Sequence, residues 1–126
     1  MLRYVDEARA SGATPVLVTS IVRRNFDDQG RCKSDCLAPF VEEIRRLAAE
    51  KNIALIDMYE LTRRQADQLG PKGSLELGPP VGANGKPDTT HLGPRGQRIV
   101  GRMVAEELVR IEPALKPLLR DDAPAP

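Results

Sequence analysis

The only histidine of this 126-residue sequence, His91, stands three positions after Asp88 in the run Asp88-Thr89-Thr90-His91. A carboxylate at that spacing can accept the Nδ1 hydrogen of the imidazole and fix its tautomer. Nε2 is then free to take a proton from a nucleophile, and the same carboxylate stabilises the imidazolium that forms. The competing reading is a plain one: His91 is a loop residue, and Asp88 is an acid that happens to precede a helix. Spacing does not separate the two. Position does more, because the pair follows two strand–helix units and directly precedes the last helical pattern. A loop there can reach the carboxyl-end rim of the strands, where doubly wound sheets build their sites.

No residue matches the pair as a ready nucleophile. The serines are Ser11, Ser20, Ser34 and Ser74, and none lies in a G-x-S-x-G or G-D-S setting. Ser20, at a strand end, is the best of them, against the simpler view that it is a polar strand terminus. Cys32 and Cys36 would need a neighbour that stabilises a thiolate, and Arg31 and Lys33 are adjacent only in sequence. Two cysteines make no disulfide framework, and with a single histidine they fall short of a zinc ligand set. No metal is expected; a local disulfide and two free thiols both fit. Gly85-Lys86 is followed by Pro87 and is not a phosphate loop. Arg23-Arg24 reads as a solvated loop pair, with contact to an acidic sugar as the alternative.

The elements that must position Asp88 and His91 can be traced by periodicity. Leu2, Val5 and Ala8 recur at helical spacing before Ser11-Gly12 stops them. Pro15-Val16-Leu17-Val18-Thr19 is a continuous apolar run, as expected of a strand buried on both faces. A polar stretch from Arg23 to Asp35 leads to the clearest helix, with Leu37, Phe40, Val41, Ile44, Leu47 and Ala48 on one stripe. Asp35 or Ser34 can cap it, Pro39 suits its first turn, and Asn52 suits its exit. Ile53-Ala54-Leu55-Ile56 is a second buried strand ending at Asp57. Met58, Leu61, Gln65 and Leu69 predict a third helix closed by Gly70-Pro71, with a long irregular stretch from there to His91. The last helix opens at Gly93-Pro94 and aligns Ile99, Val100, Met103, Val104, Leu108 and Ile111. Residues 113–126 should fray.

Composition narrows the functional classes. Nineteen basic against 18 acidic residues give a formal charge of +1, which offers no electrostatic case for nucleic acid. No apolar run approaches the roughly 18 residues that span a bilayer. Met1 to Glu7 mixes charge into any would-be leader, so the chain as written is expected to be cytoplasmic by default. Alternating helices and strands predict a parallel sheet with helices on its faces. Only two strands are visible, and a two-stranded parallel sheet leaves two unpaired edges.

Three stretches resemble the SGNH (GDSL-type) hydrolases, and among them the rhamnogalacturonan acetylesterase branch. The first is Tyr4-Val5-Asp6-Glu7-Ala8-Arg9 through Gly12-Ala13-Thr14-Pro15-Val16-Leu17-Val18-Thr19. The second is Ile21-Val22-Arg23-Arg24 with Phe26-Asp27. The third, Asp88-Thr89-Thr90-His91-Leu92 with Gly96, is similar to the family's last sequence block, which supplies the triad acid and base. Gly93 stands where that family commonly has serine. The resemblance implies a flavodoxin-like three-layer α/β/α fold, of which residues 1–112 would be the C-terminal part, with about two parallel strands and four helices. It implies removal of acetyl groups through a serine acyl-enzyme without metal or organic cofactor, Asp88 orienting His91. Acetylated polysaccharide or a small ester would be the substrate of the complete protein, which the resemblance expects to be secreted or periplasmic. The G-D-S block and the oxyanion glycine and asparagine blocks of the family precede the part matched here. The isolated chain is therefore expected to be inactive. A complementary N-terminal chain is one partner that would fit, and a non-catalytic α/β module that pairs with a partner chain is the alternative.

Overall fold

A computed structural model describes residues 2–83 and 85–119. Helix α1 (Leu2–Ala10) leads into strand β1 (Val16–Val18), helix α2 (Ala38–Glu50) and strand β2 (Ala54–Ile56). Helix α3 (Met58–Leu75) follows, then helix α4 (Pro94–Ile111) and a 3₁₀ helix over Pro113–Leu118. The strands are parallel neighbours in the register Val16 to Ala54, Leu17 to Leu55 and Val18 to Ile56. The expected two parallel strands and four helices are thus present.

Side chains alternate across a strand, so Val16, Val18, Ala54 and Ile56 share one face. Ile56 and Met58 form a core there with Val100, against which Val16, Met103, Val104, Leu108 and Ile111 also lie. Val100, Met103, Val104, Leu108 and Ile111 are five of the six residues that the sequence assigns to the stripe of the last helix; Ile99 is not part of this core. Helix α2 rests on both strands and buries Val41, Leu47 and Ala48. A second core joins Val41 to Val22, Cys32, Tyr59 and Ala66. It seats the segment after β1 between α2 and α3.

Several expectations need correction. The strands are not buried on both faces: Val16 and Leu17 are half-buried and Val18 is 47% exposed. Among the described residues each strand has one neighbour, so the other edge of β1 has no strand paired to it. The regular path of α3 closes at Gly70, as expected, but a short helical segment not foreseen in the sequence follows it. That residue breaks the helical path at φ 67° and ψ 179°, and Pro71 begins a further turn that runs to Leu75. Neither Asp35 nor Ser34 is the N-cap of α2, which is Leu37 without a side-chain cap; Asp35, two residues earlier, braces the entry, its Oδ1 accepting from Leu37 N–H at 2.9 Å and its Oδ2 from Arg23 N–H at 3.0 Å. Asn52 takes the left-handed conformation at the exit of α2, with φ 49°. Cys32 and Cys36 are free, one buried and one exposed. Of the segment expected to fray, Pro113–Leu118 forms the 3₁₀ helix against α4, and residues 120–126 lie outside the described residues.

At the carboxyl ends of the strands a polar network locks β1 to β2. Thr19 Oγ1 donates to Asp57 Oδ1 at 3.0 Å and accepts from Tyr59 N–H at 2.9 Å. Asp57 caps α3 by accepting from Glu60 N–H, and its other oxygen pairs with Arg45 of α2 at 2.7 Å.

Candidate active site

Asp88 and His91 sit in a tight turn just before α4. Asp88 Oδ1 accepts from the backbone N–H groups of Thr90 and His91, each at 2.8 Å. The carboxylate thereby nucleates its own turn, as aspartates do when they bond to main chain two residues on. Its second oxygen, Oδ2, lies 2.8 Å from His91 Nδ1. The backbone N–H of His91, then its side chain, then the N–H of Thr90 hold the Asp88 carboxyl down at about 2. An ionised carboxylate can only accept, so the 2.8 Å contact is a hydrogen bond when Nδ1 carries the proton. That leaves the Nε2 lone pair free. The His91 side chain is 78% exposed and Asp88 is 35% exposed, which places the reactive edge of the ring in solvent and its support half inside.

The turn is anchored from beneath. Arg24, buried at 4% exposure, donates through Nη2 to the carbonyl oxygens of Asp88 and His91 at 2.9 and 2.7 Å. Its backbone N–H donates to Thr89 O at 2.9 Å, and Thr89 Oγ1 donates to Asn25 Oδ1 at 2.9 Å. On the other flank Gly93 N–H donates to Leu77 O at 2.9 Å. Backbones touch here: a Cβ on Gly93 would overlap the Gly78 carbonyl, and one on Gly96 would overlap the Leu77 carbonyl. A serine at position 93 therefore does not fit this loop as it lies. Gly93 still starts α4, in extended conformation at φ −78° and ψ 178°.

The other candidates are not drawn into this arrangement. Ser74 is fully buried and donates to Ala66 O at 3.3 Å. Ser11 Oγ donates to Ala8 O within α1's exit, and Ser20 and Ser34 are exposed. Burial, then the nearby Asp67, pushes the Cys32 thiol up, the opposite of what a nucleophile needs. Arg24 is the residue whose role the sequence conceals. It is not a solvated loop residue and not open to a sugar, since its side chain is buried and Nη2 is engaged by the turn, while Nε is buried without a partner among the described residues. The one available signal was its place two residues after Val22, which is 1% exposed; in extended chain, alternate residues face the same way. Among the described residues no three His, Cys, Asp or Glu side chains group as metal ligands, and no helix is long and apolar enough to cross a membrane.

The chain is homologous to an acetylesterase. Its relative is rhamnogalacturonan acetylesterase RhgT of Bacillus subtilis (strain 168), to which it is 32% identical over 120 residues, a match that takes in 90% of this chain and 51% of that protein. The likeness to rhamnogalacturonan acetylesterases read from the sequence is thereby borne out. The chain spans about half the length of this curated relative. No protein-family model matches it, and no solved structure does.

Proposed function

We propose that Asp88 and His91 are the acid–base half of a serine-esterase triad of the SGNH type. The reaction is hydrolysis of O-acetyl esters on a polysaccharide or a small ester. The observation that carries the reading is the 2.8 Å contact between His91 Nδ1 and Asp88 Oδ2, with the ring otherwise open to solvent. In this arrangement His91 Nε2 removes the proton of a serine hydroxyl as it attacks the ester carbonyl. It then returns that proton to the departing sugar oxygen, while Asp88 stabilises the imidazolium between the two steps. The serine and the oxyanion donors come from outside residues 1–126. Each such group contributes roughly 10²–10⁴ in rate, so the chain alone hydrolyses an aryl acetate no faster than background.

A complementary chain carrying those groups would seat on the open side of the sheet, where Val18 of β1 is 47% exposed. The test is to read the DNA upstream of the Met1 codon and co-express what it encodes. An in-frame segment with a G-D-S strand, and ester hydrolysis that His91→Ala abolishes, is the expected result. Hydrolysis that survives His91→Ala, or an unrelated upstream gene, sinks the proposal. The alternative, a non-catalytic module that pairs with a partner chain, shares the open strand edge. It predicts binding to a partner with no hydrolysis in the complex.

A further inference from the structure

Burying a guanidinium strips it of hydration, a cost that only acceptors met inside the fold can offset; in Arg24 Nε is buried without a partner among the described residues, and Nη2 makes the side-chain contacts. Arg24 is 4% exposed, and burial draws its pKa down, with the Asp88 charge opposing that effect. Its Nη2 reaches Asp88 O at 2.9 Å and His91 O at 2.7 Å, and its own N–H reaches Thr89 O at 2.9 Å. One residue thus grips three of the four carbonyls in the turn that carries the acid–base pair. Room for the grip is made by Gly78, where a Cβ would come within 3.1 Å of Arg24 Nη2 and 2.7 Å of Asp88 O. The carbonyls of Asp88 and His91 mark the two ends of the turn. Holding both from one planar group fixes their separation, and with it the approach of the two side chains above.

We infer that Arg24 is a positioning residue for the Asp88–His91 pair, holding the turn in the one conformation that keeps the His91 imidazole in its Nδ1–H tautomer. Both bonds come from Nη2, whose two hydrogens are fixed in the guanidinium plane, whereas the hydrogens of a lysine ammonium rotate on a shorter and more flexible stem. The inference deepens the acid–base reading of this pair, but its test reads the imidazole directly and needs no ester hydrolysis.

Because His91 is the only histidine, long-range ¹H–¹⁵N spectra of the full chain report its tautomer without assignment ambiguity. In alkaline buffer, where an ordinary imidazole is neutral, the wild-type chain should show Nδ1–H as the major form. Arg24→Gln should make it the minor form, and Arg24→Lys should recover only part of it. A role confined to stability would lower Tm in Arg24→Gln and leave the tautomer unchanged, which overturns the inference. Gly78→Ala disturbs the same grip with Arg24 intact, so it must shift the tautomer in the same direction if Arg24→Gln does not fold. The wild-type chain supplies a check that needs no variant: the Arg24 Nη hydrogens should be protected from exchange, and a freely averaged guanidinium signal refutes the grip. Asp88→Asn separates the two ideas. If it leaves the tautomer unchanged, the acid–base reading fails; if it shifts the tautomer and Arg24→Gln does not, only the role of Arg24 fails.

Discussion

Asp88 does two things with one carboxylate, and its acidity follows from both. Oδ1 takes two backbone N–H groups and Oδ2 faces the imidazole, so every contact favours the charged form. A carboxyl held at about 2 in the folded chain lies below its value of about 3.9 in an unfolded one. Its contribution to the order of the turn is therefore complete above the unfolded value. It is lost as pH falls from there through about 2. A ¹³C titration of the Asp88 carboxyl should have its midpoint near 2, with the Thr90 and His91 amide signals moving in the same window. A midpoint at the ordinary value would mean that the turn is not held as described. At this scale the sequence is informative about identity and silent about support. The D-x-x-H spacing exposes Asp88 and His91, because both bonds are local. Arg24 lies more than sixty residues away in sequence, and a contact of that range leaves no periodicity to read.

The elements were legible wherever one side of them meets a core. The stripe of α2 apart from Phe40, which is 69% exposed, that of α4 apart from Ile99, the breaks at Ser11-Gly12 and Asn52, and Gly93-Pro94 at the start of α4 all follow from local rules. What was not legible is tertiary: the short helical segment after the break at Gly70, the half-buried strands, and the close approach of residues 77–78 to the start of α4. That approach yields a paired prediction within a single helix. Glycine inside a helix costs roughly 0.5–1 kcal/mol relative to alanine. At Gly101, where a Cβ meets nothing within 4 Å, Gly101→Ala should raise stability by about that amount. At Gly96 the same methyl would run into the Leu77 carbonyl. Overpacking costs typically 1–3 kcal/mol, so it outweighs the propensity gain, and Gly96→Ala should lower the denaturation midpoint. Equal shifts for the two variants in chemical denaturation would show that α4 and the 77–78 segment are not in register as described.

At the scale of the whole molecule the weak point is the sheet. Three residues of β1 pair with three of β2, and the largest wholly buried apolar side chains are Ile56, Met58, Val22 and Val41. Two of these sit in each core, so neither cluster is large. A two-stranded parallel sheet is marginal without more strands or cover, and an unpaired strand edge recruits any extended chain that can bond to it. With Val18 at 47% exposure beside that edge, two copies of the chain offer each other what a partner chain would supply. The purified chain should therefore self-associate with rising concentration, and its thermal transition should be broad. Val18→Lys places a charge at the edge, the device by which natural edge strands avoid pairing. It should keep the chain monomeric in sedimentation without sharpening the transition, because the core behind it is unchanged. Addition of a complementary chain should have the reverse effect on wild type, sharpening the transition and suppressing self-association. A wild-type chain that stays monomeric at all concentrations and melts cooperatively would show that two strands suffice, and that the open side of β1 is not a docking edge.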